Sequence, residues 1–386
     1  MRRFALIVLL NLGVTLASVS QDKKAKAWEL KGYIKDLQST SFIDNPDSIT
    51  TSNLIHNRIN FKWDFAKRLY TRIEARNRIF YGEQVKLIPG FGKYIDTDNG
   101  YVKLTKLWVD ERALVAHSII DRALVSYSES KINLTIGRQR INWGINTVWN
   151  PNDLFNAYSF LDFDYEERPG VDAVRMQYFM KAFSSLEFAF KPSKKKNQNV
   201  AAALCKFNRW KYDIQFLCGI YYDDLALGTG WAGNIKEAGF KGEATYFRNK
   251  NHFSDDNGVL SASAMLDYSF KNSWYVSGAA LYQSQPAIIP QGNTLFFSSD
   301  LSAKHLMPYR YTYYLRITKG FTPIMSSNLA VIYSPTDNSI ILFPSLGYNV
   351  AQNFDLDLTL QSFFSEAFGT YKAQGNSLYL RMKFSF

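Results

Sequence analysis

The chain has 386 residues, a formal net charge of +11 and two cysteines. After the first twenty residues, no apolar run approaches the roughly 20 residues that a membrane-spanning helix needs. Aromatic residues nevertheless make up 16% of the chain. This combination argues against helical membrane spans and favours a transmembrane β-barrel, whose strands need only every second residue to be apolar. The basic charge forms no lysine-rich tail or patch, so nucleic acid is not an expected partner.

The first twenty residues have the features of a secretory signal peptide. Arg2 and Arg3 precede an apolar run from Phe4 to Leu16, which small residues follow. We expect cleavage after Ser20, so that residues 21–386 form a single exported domain. Because the first twenty residues contain two arginines and no acid, their removal lowers the formal charge from +11 to +9.

Alternation of apolar and polar residues is clearest in segment 54–66. The apolar positions are Ile55, Ile59, Phe61, Trp63 and Phe65, and the polar positions are His56, Arg58, Asn60, Lys62 and Asp64. Segment 69–80 repeats the pattern and places Arg72, Arg76 and Arg78 on one face. A period of two indicates strands, and so many charges on one face favour a water-filled lumen behind a lipid-facing wall.

The whole chain predicts an all-β antiparallel barrel of about eighteen strands, with sixteen as the alternative. Short turns alternate with long links almost throughout, as in bacterial barrels with short periplasmic turns and longer outer loops. Both termini are then expected in the periplasm, and the outer loops at the cell surface. The predicted long outer loops are 38–53, 81–118, 140–170, 284–308 and 365–376.

The end of the chain carries a specific signal. Residues 377–386 alternate strictly and finish with Phe384 and Phe386 on the apolar face. This pattern resembles the terminal β-signal that the outer-membrane assembly machinery of Gram-negative bacteria recognises. It predicts a multi-pass protein of the cell outer membrane, with that machinery, outer-membrane lipid and lipopolysaccharide as partners.

The two cysteines, Cys205 and Cys218, flank a tight turn predicted at Arg209-Trp210. That turn would place Cys205 opposite Ile214, with Cys218 four residues further along the same face. A disulfide between them is therefore not expected, and we predict that both face lipid.

Segment 137–178 departs from the strand pattern and concentrates arginines, carboxylates, asparagines and tryptophans. It contains Gly137-Arg138-Gln139, Trp143-Gly144, Asn150-Pro151-Asn152-Asp153 and Arg168-Pro169-Gly170. These motifs resemble a segment found in barrels of the Bacteroidota and in related porin-like outer-membrane proteins, a family that is largely uncharacterised. The resemblance implies a porin-like barrel and names no substrate.

On the strand count, this segment is the third long outer loop, the position from which general porins fold a loop into the lumen. Its charges could line a constriction and select permeating solutes, or they could pair with the wall and hold the loop in place. The candidates in the segment and on the wall are Arg138, Arg140, Asp153, Asp162, Asp164, Glu166, Glu167, Arg168, Asp172, Arg175, Arg58, Arg72, Arg76 and Arg78.

The same segment contains residues suited to binding a sugar or a metal ion. Trp143 and Trp149 could stack on a sugar ring, but we predict that they anchor the loop to the wall. Asp162, Asp164 and Glu166 alternate, and Asn150, Asn152 and Asp153 supply further oxygens of the kind that calcium prefers. The spacing does not match an EF-hand, and no metal or cofactor is predicted.

The sequence does not predict an enzyme. It has four histidines and contains neither a Gly-x-Ser-x-Gly elbow nor a His-Glu-x-x-His zinc motif. We expect a channel for small polar solutes with a mild preference for anions. The alternative is a barrel plugged by its loops that acts as a scaffold in a cell-surface complex for glycans, lipoproteins or protein export. A homo-oligomer is compatible with both.

Overall fold

The computed structural model describes residues 27–42, 49–98, 100–156, 167–181, 183–254, 258–286, 302–367 and 369–386. Nineteen strands and two short helices lie in this part of the chain. The strands are β1 Trp28–Phe42, β2 Thr50–Ala66, β3 Leu69–Gly82, β4 Thr105–Glu111, β5 Leu114–Glu129, β6 Ile132–Gln139, β7 Val171–Lys181, β8 Ser184–Lys191, β9 Val200–Arg209, β10 Tyr212–Tyr221, β11 Asp224–Ile235, β12 Ala238–Asn249, β13 Val259–Ser269, β14 Trp274–Gln283, β15 Tyr311–Thr322, β16 Met325–Ser334, β17 Ser339–Ala351, β18 Phe354–Ala367 and β19 Thr370–Ser385. The helices are α1 Glu83–Leu87 and α2 Phe91–Ile95. In the described ranges, no helix is long and apolar enough to cross a membrane.

Eighteen of these strands close into one antiparallel barrel. Each pairs with its neighbours around the ring, and β19 returns to pair with β1. β4 is the exception, since among the described residues it pairs only with β5, beyond the point where β6 ends. The prediction of an eighteen-stranded barrel is therefore confirmed, and β4 is an addition at its outer end that the sequence did not reveal.

The two faces of the wall follow the alternation in the sequence. On β2, Ile55, Ile59 and Trp63 are 37%, 37% and 46% exposed, whereas His56 and Arg58 on the other face are 1% and 0% exposed. The exposed apolar face is the outer face of the barrel, as a lipid environment requires. The predicted assignment of polar residues to the inner face holds here.

Both ends of the barrel wall lie at the rim with the short turns. Trp28 pairs with Trp63 near the β2–β3 turn, and Phe386 exchanges two backbone hydrogen bonds of 2.9 Å with Gly32.

At the opposite rim, residues 140–170 connect β6 to β7, as predicted, and residues 284–310 connect β14 to β15. Of the predicted loop 81–118, a large part is structured as α1, α2, β4 and the start of β5. The predicted loop 38–53 is shortened because β1 continues to Phe42 and β2 begins at Thr50.

The predicted long loop 365–376 is wrong. β18 and β19 continue to pair as far as Ala367 and Thr370, and Gly369 adopts a left-handed φ of 74° in the tight turn between them. A register shift at Phe363 and Phe364 interrupts the ladder below this turn. The ends of β18 and β19 at this turn are mostly polar in sequence. Because the prediction relied on an apolar face to identify strands, it assigned this segment to a loop.

The turn of the hairpin that carries the two cysteines lies one residue later than predicted. Trp210 and Lys211, both with positive φ, form the turn, so Cys205 lies opposite Phe216 rather than Ile214. Both cysteines are free thiols, and they share the outer face with Phe216, which is 52% exposed.

Labelling tests this arrangement. In the protein folded into lipid vesicles, an apolar maleimide should modify Cys205 and Cys218 because both face outward, whereas a charged maleimide should modify neither. Asn208→Cys, on the inner face of β9 in a background without the native cysteines, provides the control and should react with the charged reagent. Labelling of Cys218 by the charged reagent would contradict the assignment of faces.

Candidate functional site

The link between β6 and β7 turns into the barrel. We call its residues 140–156 the inward loop. Its first contacts are with the inner faces of β8 and β10. The indole Nε1 of Trp143 donates to Oε1 of Glu187 at 2.5 Å, and the carbonyl of Trp143 accepts from Nε2 of Gln215 at 2.7 Å. All three side chains are buried, so the loop is fixed to the wall within four residues of leaving β6.

Further along, the loop meets a carboxylate on β12. Glu243 accepts hydrogen bonds from the backbone N–H groups of Ile145 and Asn146, both at 3.0 Å, and of Asn152 at 2.9 Å. Its side chain is 1% exposed. One wall residue therefore satisfies three backbone donors that would otherwise be buried without partners.

Hydroxyl groups of the wall bind the carbonyl groups of the same loop. Ser263 on β13 donates to the carbonyl of Trp149 at 2.9 Å, and Thr245 on β12 binds the carbonyl of Pro151 at 3.0 Å. The amide of Asn152 donates to the carbonyl of Thr229 on β11 at 3.0 Å. The irregular backbone is thus paired along several neighbouring strands.

Apolar packing completes the attachment. Trp149 is 2% exposed and meets Tyr314 of β15 edge-on, with ring centroids 6.3 Å apart, in a cluster that includes Ile332 and Phe343. Trp143 packs against Phe155 within the loop, with centroids 4.9 Å apart. Both predicted anchor tryptophans are therefore buried, and the loop reaches from β6 to the inner faces of β15–β17.

On the opposite side of the lumen, inner-face cations gather on β1–β5. We call six of these cations the basic sector: Lys35, Arg58, Arg72, Arg76, Arg78 and Arg122. Its centre is Arg58, whose guanidinium contacts Asp121 and Glu74, each at 2.6 Å. The Nε of Arg76 lies 3.3 Å from the same Asp121.

Asp121 reaches this position because it is the extra residue of a β-bulge. The pairing of β3 with β5 shifts between Glu74 and Ala75, which face Arg122 and Ile120, so the cross-strand register passes over Asp121. A bulge turns a side chain away from strict alternation, and here it brings a carboxylate between two arginines. Two other arginines of the basic sector also have contacts: Arg72 lies 3.8 Å from Glu74, and a guanidinium nitrogen of Arg78 lies 3.0 Å from Nδ1 of His117.

The expectation that Arg138 and Asp172 line the lumen is not met. They are cross-strand partners on the same face as Ile136 and Val174, which are 52% and 42% exposed on the outer face. Arg138 is nonetheless buried, because it binds Asp172 at 2.8 Å and Asp98 at 2.9 Å. Arg138 and Asp172 also bind the backbone of Val102, in the segment that precedes β4. The prediction failed because the sequence does not show that this segment covers the outer face of β6 and β7.

Other predicted residues contact the loop or its return. Arg175 binds Glu187 with two bonds of 2.7 and 2.8 Å. Glu167 accepts from the hydroxyl of Tyr33 at 3.0 Å and lies 3.8 Å from Arg58. Arg140 is partly buried. Three predicted residues lie outside the described residues: Asp162, Asp164 and Glu166.

Asp153 is a buried carboxylate of the inward loop, away from the strands. Burial raises its pKa to about 6, and the guanidinium of Arg168, 3.8 Å away, opposes this rise. In the described part of the chain, no group of three or more His, Cys, Asp or Glu side chains could hold a metal ion. Oδ1 of Asn152 is already bonded to Thr245 at 2.6 Å.

Sequence reasoning missed the wall residues that receive the loop. They are Glu187, Gln215, Glu243, Thr245 and Ser263. The available signal was weak. Glu187 and Glu243 are single carboxylates at inner-face positions, and their strands, β8 and β12, otherwise resemble the rest of the barrel in sequence. Which loop groups they meet depends on how the strands follow one another around the barrel, and the sequence does not give that.

Comparisons with known proteins give the fold a context. Neither a family model nor a curated protein matches the sequence. The chain is similar to the crystal structure of OccAB4 from Acinetobacter baumannii, with a TM-score of 0.60 and 11% identity over 94% of this chain and 99% of that one. It is also similar to OccK8 (OprE) of Pseudomonas aeruginosa, with a TM-score of 0.58 and 9% identity over 95% and 99%.

The outer membrane protein opdK of Pseudomonas aeruginosa is similar as well, with a TM-score of 0.55 and 8% identity over 93% of this chain and 99% of that one. At such low identity the likeness shows the fold alone. It extends over nearly the whole length of each protein, so the eighteen-stranded architecture is shared with solved barrels of this kind.

The pKa of Asp153 predicts how stability depends on pH. Its folded-state value of about 6 exceeds the ordinary value of about 3.9, so the folded protein binds more protons between these two pH values. Asp153 therefore disfavours folding at pH 7.5, and most of this penalty is lost as the pH falls towards 4.5. The shift corresponds to at most about 3 kcal/mol.

Urea unfolding in lipid vesicles measures this effect. Relative to Asp153→Asn, the wild type should gain free energy of unfolding as the pH falls from 7.5 to 4.5. Asp267→Asn is the control, since Asp267 is an inner-wall carboxylate paired with Lys241 at 3.4 Å. An equal pH response of wild type and Asp153→Asn would show that Asp153 does not titrate in this range.

Proposed function

We propose that the protein is an outer-membrane channel through which small polar solutes diffuse, and that the 140–170 link forms its constriction. The observation that carries this proposal is the path of the inward loop, which leaves β6 and packs against inner-face side chains from β8 to β17. Barrels of 16–18 strands are wide enough for an aqueous channel. A loop attached inside such a barrel narrows the channel and brings polar groups close to a passing solute.

The location follows from the same proposal. The barrel lies in the outer membrane with its short turns and both termini in the periplasm, and with the longer loops at the cell surface. Its apolar outer face contacts membrane lipid and lipopolysaccharide. Phe384, on the outer face of β19, and Phe386, directly after that strand, serve as the signal for the assembly machinery.

A mild preference for anions is supported by the charge of the inner wall. The basic sector places six cations on neighbouring strands, where the carboxylates that contact them among the described residues are Glu74, Asp121 and Glu167. An excess of positive charge along a narrow passage raises the local concentration of anions. Among the six, Arg72 has a side chain that is 44% exposed, so it can act on a passing ion.

A second candidate function has its own support. Lys35 and Arg58 are 0% exposed and His56 is 1% exposed, although side chains that line an open aqueous channel should contact water. This burial favours a barrel closed by its own loops, which would act as a scaffold in a cell-surface complex. Purification from native membranes distinguishes the two functions, because a scaffold should co-purify with a stoichiometric partner and a channel should conduct by itself.

Conductance in planar bilayers tests the channel. The wild type should give discrete steps, and under a potassium chloride gradient the reversal potential should indicate preference for chloride. Arg72→Gln should weaken that preference because it removes an exposed charge from the lumen. Arg68→Gln is the matched control, since Arg68 lies at the β2–β3 turn beside Glu129. Absence of steps, or preference for potassium, would contradict the proposal.

A further inference from the structure

Glu243 binds two separate parts of the inward loop with one carboxylate. Oε1 accepts from the N–H groups of Ile145 and Asn146, and Oε2 accepts from the N–H of Asn152. The five residues between these points, 147–151, are therefore closed into a small ring against the wall. They carry Trp149 into the apolar cluster beside Tyr314.

The three N–H groups form an anion site that the protein fills with its own side chain. Converging backbone N–H groups attract negative charge, and hydrogen bonds to a charged acceptor are stronger than those between neutral groups. A carboxylate accepts hydrogen bonds through both of its oxygens, and Glu243 uses Oε1 for two of these N–H groups and Oε2 for the third. Its burial at 1% exposure keeps water from competing.

Glu187 has a different role. It binds the side chains of Trp143, Arg175 and Gln177, so it fixes the start of the loop and a neighbouring strand. Glu243 instead binds the backbone on both sides of residues 147–151, the part of the loop that carries Trp149 to the strands furthest along the wall from β6. The distance between the loop and the opposite basic sector therefore depends on Glu243 more than on Glu187.

We infer that Glu243 is the positioning residue of the channel: its carboxylate holds the middle of the inward loop against β12 and thereby sets the free cross-section. The effect on conductance rests on the proposed function, whereas the attachment of the loop does not. The three N–H groups also predict that an external anion can replace the side chain. Once the side chain is removed, a small carboxylate such as formate should occupy the three N–H groups and restore the loop.

The variants separate charge from size. Glu243→Ala removes the carboxylate and leaves space for formate. Glu243→Gln fills that space and turns an NH₂ group towards backbone donors, so formate should not rescue it. Asp267→Asn is the control for loss of one inner-wall carboxylate on the neighbouring strand β13, and the heat-dependent shift in electrophoretic mobility verifies that each barrel is folded.

Hydrogen exchange of residues 141–156 provides the first measurement. Glu243→Ala should exchange at least about tenfold faster than the wild type, because it loses hydrogen bonds to a charged group. Formate should return exchange in Glu243→Ala towards the wild-type rate and leave Glu243→Gln unchanged. Wild-type exchange in Glu243→Ala, or acceleration that formate does not reverse, would overturn the inference.

Single-channel recording provides the second measurement. Glu243→Ala should show a changed conductance and at least about twofold more open-channel noise than Asp267→Asn, and formate should reverse both changes while acetate, which is larger, does so less well. Equal noise in the two variants would overturn the role of Glu243 in setting the cross-section. If the wild type does not conduct, the proposed channel function fails, and hydrogen exchange still decides whether Glu243 positions the loop.

Discussion

An irregular chain can pass through the interior of a barrel only where its backbone N–H and C=O groups find partners. In this protein the inner wall supplies them. Glu243 binds three N–H groups, while Ser263 and Thr245 bind carbonyl groups of the same loop. The rest of the internal architecture depends on this exchange, because an unpaired buried backbone group is costly. The loop and the wall therefore specify each other.

Because the inward loop covers only part of the inner wall, the two sides of the lumen differ in composition. On β8–β17 the wall is covered by a loop that contributes two tryptophans and a compact set of apolar contacts. On β1–β5 the wall carries the basic sector, organised around Arg58 and the bulge at Asp121. The loop side is held by buried apolar contacts and by single carboxylates such as Glu187 and Glu243, whereas the other side carries a cluster of cations.

Much of the barrel was predictable because lipid and water impose a period of two on each strand. The alternation of Ile55 with His56 identified both faces, and the polar composition after Gln139 located the link to β7. What could not be predicted depends on relations between strands. The bulge that aims Asp121, the cover over Arg138 and the contacts of Glu243 arise from register and loop path, which no local pattern records.

A cross-link between the inward loop and the wall tests this architecture most directly. The amide of Asn146 lies 2.5 Å from the hydroxyl of Ser263 on β13, so cysteines at these two positions, in a background without Cys205 and Cys218, should form a disulfide in intact cells. Asn146→Cys combined with Asp267→Cys, about 13 Å lower on the same strand, should not. A disulfide in the first pair and none in the second is the expected result. If neither pair forms one and a membrane-impermeant reagent labels Cys at position 146 from outside, the loop lies at the cell surface and does not enter the lumen.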